Sequence, residues 1–276
     1  MRQLLRYYRQ LPFLSRAGVC VIALFSAAAV FAPLLAPYPY ERQELARRLM
    51  GASAAHWMGY DELGRDIFSR LLYGARISLL VGIAVVSGST VVGTMIGALS
   101  GYYRGWVDDV LMRIVDVLMA VPGILLAIAF VAFRGPGVGN LIIALVLIGW
   151  VGYARLVRGE ILKVREFDFV QAVRAQGAGD RRILWRHIIP NVLDPLIVQA
   201  SLGMAGAIMA EASLSFLGLG ITPPTPSWGS MLNSARSHVF EAPHLTVFPG
   251  VALMLLVMAF NFLGDGLRKV RLQSQN

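Results

Sequence analysis

The sequence predicts an all-α protein that crosses the membrane six times, and three observations predict it. Hydrophobic residues make up 57% of the 276, charged residues only 15%, and the mean hydropathy is +0.63, a balance too apolar for a soluble domain of this length. Six stretches reach the roughly twenty apolar residues that about 30 Å of hydrocarbon requires at about 1.5 Å of helical rise per residue. Basic residues gather in alternate connections, as they do on the cytoplasmic face of multi-pass proteins. The net charge of +9 has that same source and does not point to a nucleic-acid partner.

Residues 1–17 form a basic amino-terminal segment in which Arg2, Arg6, Arg9 and Arg16 precede the first span, 18–35. Small residues in FSAAAVFA also suit a signal-peptide reading, but a retained span is the expectation. Cys20 precedes the apolar run, unlike a lipoprotein cysteine, and as the single cysteine it excludes an internal disulfide. An outer loop follows over 36–76 and mixes arginines with Glu41, Glu44, Asp61, Glu62 and Asp66. A five-helix core occupies 77–267, with spans at 77–99, 111–133, 138–157, 192–209 and 245–263, and a basic tail closes the chain at 268–276. The amino terminus, the turn with Arg104 and Arg113, the segment 155–186 and the tail RKVR fall on one side. That side is expected to be cytoplasmic, both termini with it.

In the second span, Ser89, Gly93, Gly97 and Gly101 recur every four residues and share one helical face. Such a ridge permits close packing, within this chain by expectation, at a dimer seam otherwise. In the fifth span Gln199, Gly203 and Gly206 follow the i, i+4, i+7 spacing of one face, with Ser201 nearby. A small polar face suits a water-lined translocation path or a packed helix pair, and spacing leaves both open. Asp116, Asp194 and Glu211 lie in or beside spans, where a carboxylate is costly. Asp194 reads as interfacial, while Asp116 and Glu211 suit either a path or a packing role.

Catalytic patterns are missing. A phosphate-binding loop needs Gly-Lys-Ser/Thr, yet neither Lys163 nor Lys269 follows a glycine, and no HExxH, CxxC or GxSxG occurs. No enzyme activity is expected. His56, His187, His238 and His244 form no i, i+4 pair and read as surface or loop histidines, so no metal site is expected.

One basic stretch stands apart, AVRAQGAGDRRILWRHIIPN. Residues 169–176 suit a short helix that Gly177 and Gly179 break, after which Asp180 suits the N-cap of a second helix closed by Pro190. Ile183, Leu184 and Ile188 make an apolar stripe there, with Arg181, Arg182 and Arg186 on the polar side. The pattern fits an interfacial helix on lipid headgroups or a helix that docks in a partner's groove.

QAVRAQGAGDRRILWRHIIP resembles the EAA loop of ATP-binding-cassette (ABC) importer permeases, which runs Glu-Ala-Ala, three residues, Gly, nine residues, Ile-x-Leu-Pro. Ala172, Gly177 and Pro190 match, while Gln171, Val173, His187 and Ile189 depart from the pattern. GYDELGRDIFSRLLYGARISLLVG, SFLGLGITPPTPSWGSML and FNFLGDGLR resemble the dipeptide, oligopeptide and nickel branch of those permeases. The resemblance implies a type I importer permease fold in the bacterial inner membrane, importing peptides or nickel by alternating access. It makes the loop at 166–190 a coupling element that meets a separate ATPase through Gln171, Ala172, Arg174, Gly177, Asp180, Arg181, Arg182, Arg186 and Pro190. It also implies a second homologous permease subunit, two ATPase subunits that hydrolyse the ATP, and an extracytoplasmic solute-binding protein, with no cofactor on this chain. The outer segments 37–70 and 213–244 would receive that binding protein, or else serve as a lid. An ion-driven secondary transporter is the alternative, and it calls for internal repeats that the halves do not display.

Overall fold

The computed structural model describes residues 11–274, with side chains through Arg271. Arg2, Arg6 and Arg9 therefore lie outside the described residues. Eleven α-helices follow in order among those described: α1 (Phe13–Val30), α2 (Ala32–Leu35), α3 (Ile67–Tyr103), α4 (Gly105–Ala120), α5 (Gly123–Arg134), α6 (Val138–Val164), α7 (Asp168–Ala175), α8 (Asp180–Ile183), α9 (Ile189–Phe216), α10 (Trp228–Ala235) and α11 (His244–Ser274). Among the described residues five helical runs are long and apolar enough to cross a membrane, and a bent pair, taken as one span, makes a sixth.

That pair corrects the straight span expected over 111–133. Helices α4 and α5 meet at 84°. Val121 is extended (φ −104°, ψ 133°) and Pro122 follows it. Proline offers no N–H to the preceding turn and drives the residue before it out of the helical region, so the apolar run continues while the helix does not.

Helix α3 starts at Ile67, ahead of the expected 77, so the loop expected over 36–76 ends at Asp66. The Asp66 carboxylate caps the helix by accepting the Ser69 N–H at 2.7 Å. Arg70 and Arg76 interrupt the apolar run within this first stretch without interrupting the helix.

The small-residue ridge of α3 lies against α6. A Cβ on Gly93 would stand 2.5 Å from Tyr153 Cβ and 2.6 Å from the Trp150 carbonyl, and one on Gly97 would meet the Ala154 carbonyl. The ridge is thus a contact inside the chain, where lost side-chain volume lets two backbones approach. Asp108 of α4 binds Arg158 of α6 through two hydrogen bonds of 2.6 Å, a bidentate fork that fixes α4 alongside.

Residues 37–66 are held by buried ion pairs. Asp61 accepts from Arg65 at 2.6 Å and from the Leu63 and Arg65 amides at 2.9 Å, and Arg70 lies 3.4 Å away. His56, expected as a surface or loop histidine, lies in the loop but is only 5% exposed. Its Nδ1 pairs with Asp66 at 2.8 Å, and its ring lies 4.2 Å from the rings of both Tyr38 and Tyr60. Trp228 of α10 is fully buried, donates to the Leu71 carbonyl at 3.0 Å and sits on Gly74. The segment 213–244 is thereby pinned to α3.

Candidate functional site

The basic hairpin forms at one end of the bundle. Helix α7 ends in a turn at Gly177, whose φ of +81° is the left-handed conformation that glycine adopts without a Cβ penalty. The N-cap of α8 is Gly179, with no side-chain bond there. Asp180, expected as the cap, is instead the first helical residue, and its Oδ1 accepts the Tyr102 hydroxyl at 2.6 Å. Arg165 Nη1 donates to the Tyr102 carbonyl at 2.6 Å, and Arg104 pairs with Glu166 at 2.8 Å. Burial lowers the pKa of Arg165, and the charge of Arg104 adds to the effect; a guanidinium keeps its proton at neutral pH all the same.

Pro190 does not close the second helix. Helix α8 passes through a π-turn (Leu184–Ile188) into α9, so one run extends from Asp180 to Phe216. The Ile189 N–H reaches back five residues to the Leu184 carbonyl, and this wider turn accommodates a proline that has no donor for the ordinary ladder.

The apolar stripe also faces the other way from the expected docking ridge. Ile183, Leu184 and Ile188 are 0–4% exposed and pack with Val157, Ile161, Val164 and Val170. They anchor the hairpin to the bundle, and no groove on another subunit can receive them. The outward surface carries Gln171, Ala172, Arg174, Gly177, Asp180, Arg181, Arg182, Arg186 and Pro190, all exposed. Phe167, Phe169 and Trp185 are exposed with them. Those three aromatics were missed in the sequence. Trp185 was detectable, since it falls off the stripe defined by Ile183, Leu184 and Ile188.

A second feature lies at mid-bundle. A cavity of about 320 Å³ opens between α3, α5, α6 and α9. Gln199, Gly203 and Gly206 all line it, joined by Ser89, Tyr153 and apolar side chains such as Val85 and Ile148. The bend at Pro122 brings Gly123 and Ile124 into the same wall. Ser201 is not part of it and bonds its own helix at Ile197.

Glu211 lies outside the cavity lining. It is fully buried and accepts from Ser78 at 3.0 Å and Ser215 at 2.8 Å, which joins α3 to α9. Asp116 is exposed and pairs with Arg155 at 2.7 Å, and Asp194 is exposed. His238 lies 3.3 Å from Glu241, and His244 approaches the Tyr60 carbonyl at 3.4 Å.

Apolar helices around a mid-bundle cavity, with a basic hairpin anchored at one end, define a multi-pass membrane permease. Residues 93–271 match the model of the binding-protein-dependent transport system inner membrane component, and residues 14–52 match the N-terminal TM domain of oligopeptide transport permease C. The chain belongs to that family of inner-membrane components and is an ABC importer permease, a transport subunit without catalysis of its own. This excludes the secondary-transporter alternative.

The chain is 46% identical over 255 residues to the dipeptide transport system permease protein of Alkalihalophilus pseudofirmus, covering 92% of this chain and 84% of that one. It is 49% identical over 253 residues to the glutathione transport system permease protein of Pectobacterium atrosepticum, with coverage of 91% and 84%. Among solved structures, two crystal forms of the inward-facing MetNI methionine ABC transporter superpose with TM-scores of 0.61 and 0.63, at 21% and 20% identity. They cover 73% and 74% of this chain and 95% and 96% of their own. At that identity the likeness carries the type I importer permease fold.

Proposed function

We propose that this chain is one of two permease subunits of an ATP-driven importer of short peptides, working by alternating access with a solute-binding protein outside and two ATPase subunits inside. The observation that carries this reading is the hairpin: its apolar side is bound into the bundle, while a basic and aromatic side is presented outward. A surface so anchored passes an external push to the spanning helices. Its exposed residues, from Gln171 to Pro190, are the proposed ATPase contact, with Phe167, Phe169 and Trp185 added. The termini lie on the same cytoplasmic side under this reading, the chain itself holds no cofactor, and ATP is hydrolysed by the partners.

Peptide cargo is favoured over nickel on two grounds. Relatives at 46% and 49% identity are named for a dipeptide and for glutathione, itself a tripeptide. The cavity lining contains no histidine, cysteine or carboxylate to hold a metal ion. The test is uptake of a labelled dipeptide by the assembled importer in liposomes. Uptake is expected with ATP and binding protein together; uptake driven by a proton or sodium gradient alone overturns the reading.

A further inference from the structure

Two buried hydroxyls border the cavity without a well-formed hydrogen bond. Ser89 and Tyr153 are 1% and 5% exposed and both line the cavity; the Ser89 hydroxyl has no hydrogen-bond partner, and that of Tyr153 has only the Thr90 hydroxyl nearby, outside good bonding geometry. The Thr90 hydroxyl makes no well-formed bond either. Such groups are rare in folded interiors because desolvation is left uncompensated. A helical serine has an easy remedy, the carbonyl four residues back. Ser201 and Ser213 of α9 take it, bonding Ile197 at 3.0 Å and Met209 at 2.8 Å. Ser89 does not. Its hydroxyl lies over Gly149, and that of Tyr153 lies over Gly203, two places where any Cβ would collide with the oxygen. The glycines keep room for both hydroxyls at the cavity wall.

Gln199 adds a carboxamide to the same lining, and every other lining residue is glycine, alanine, valine, leucine or isoleucine. Hydroxyls and carboxamides both donate and accept hydrogen bonds without charge. An ammonium or carboxylate entering here would meet no counter-charge, whereas a backbone amide would find both a donor and an acceptor. The volume of about 320 Å³ falls within the size range of small-ligand pockets.

We infer that Ser89, Tyr153 and Gln199 form a neutral hydrogen-bonding subsite that receives the backbone amide of a peptide in transit. The inference rests on the peptide-import reading above. The subsite checks the uncharged middle of the cargo and makes no use of its charged ends.

The test uses the complete importer in liposomes with two substrates, a dipeptide and its depsipeptide analogue, in which an ester oxygen replaces the amide N–H. The quantity read is the ratio of their uptake kcat/KM values in wild type, Ser89→Ala and Tyr153→Phe. The binding protein is the same throughout and contributes equally to every ratio. Each substitution is expected to reduce the preference for the amide by about fivefold, the scale of one neutral hydrogen bond. An unchanged ratio in both variants, or equal slowing of both substrates as for hydroxyls that merely hold water, overturns the subsite and leaves peptide import standing. Should Ser89→Ala fail to assemble, Tyr153→Phe decides, since it removes a single oxygen. Failure of the wild-type complex to take up either substrate overturns the import reading and the subsite together.

Discussion

The Tyr102 hydroxyl at the end of α3 donates to Asp180 Oδ1 at the start of α8, at 2.6 Å. This bond joins α3, the longest helix before the hairpin, to the first residue of the hairpin's second helix. Tyr102→Phe leaves the ring packed and removes the hydroxyl, with its bond to Asp180 and its approach to Arg174; a hydrogen bond to a charged group contributes about 1.5–3 kcal/mol. The expected outcome is normal membrane insertion with a lowered ratio of solute moved to ATP hydrolysed, measured in the reconstituted importer. An unaltered ratio would make the bond incidental to coupling.

Gly177 adopts a φ of +81° with open space around it, so a substitution is penalised by backbone conformation and not by crowding. Gly177→Val should cost about 1–3 kcal/mol locally, and Gly177→Asn less, because asparagine tolerates the left-handed region. Co-purification of the ATPase subunits is expected to fall for valine and to persist for asparagine, at equal membrane abundance.

Gly93 presents the opposite case, with an ordinary φ and no space. Gly93→Val would press into Tyr153 and the Trp150 backbone, and overpacking of this kind costs about 1–3 kcal/mol or more. A lowered Tm of the detergent-solubilised protein checks it. Gly206→Ala, which meets nothing within 4 Å, should leave Tm unchanged.

Glu211 holds Ser78 and Ser215 in a fully buried cluster. Glu211→Leu strands the Ser78 hydroxyl and leaves Ser215 Oγ only the Ile221 N–H at 3.3 Å, and is expected to destabilise by about 1–3 kcal/mol. Glu211→Gln retains hydrogen-bonding capacity and should lose less. Comparison of the two Tm values separates a hydrogen-bonding role from a purely steric one.

Cysteines placed at positions 199, 203 and 206 should react with an aqueous thiol reagent in a pattern that ATP alters, while cysteine at 197 stays protected by lipid. Uniform protection of the first three in an active transporter would remove α9 from the path.

Much of the fold was legible because its determinants are local. Apolar length gave the spans, and the four-residue recurrence of Ser89, Gly93, Gly97 and Gly101 gave a packing face, since both depend only on helical geometry. Pro122 was in plain view, but hydropathy averaged across it and the bend was lost. The orientation of Ile183, Leu184 and Ile188 could not be read at all. An amphipathic stripe states that one face is buried and is silent on whether its own chain or a partner covers it. Asp180 and His56 depended on residues distant in the chain or on a folded loop, Tyr102 for the one and Tyr38 for the other. The triplet Gln199, Gly203 and Gly206 came from one helix alone, whereas Ser89 and Tyr153 joined it only when three helices were brought together.

The unbroken run from Asp180 to Phe216 has a mechanical consequence. Its 37 residues span at most about 55 Å, less what the π-turn and Pro195 take up in bending, with the hairpin at one end and the Glu211–Ser215 cluster near the other. A tilt of about 5° about one end sweeps the opposite end through about 5 Å over that length. Gln199, near the middle of the run, would travel about half as far. Under the coupling proposed above, rotation of this run as one body would act as a lever arm with three stations, and the hairpin, the cavity and the far end would shift in fixed proportion without any signal relayed residue by residue.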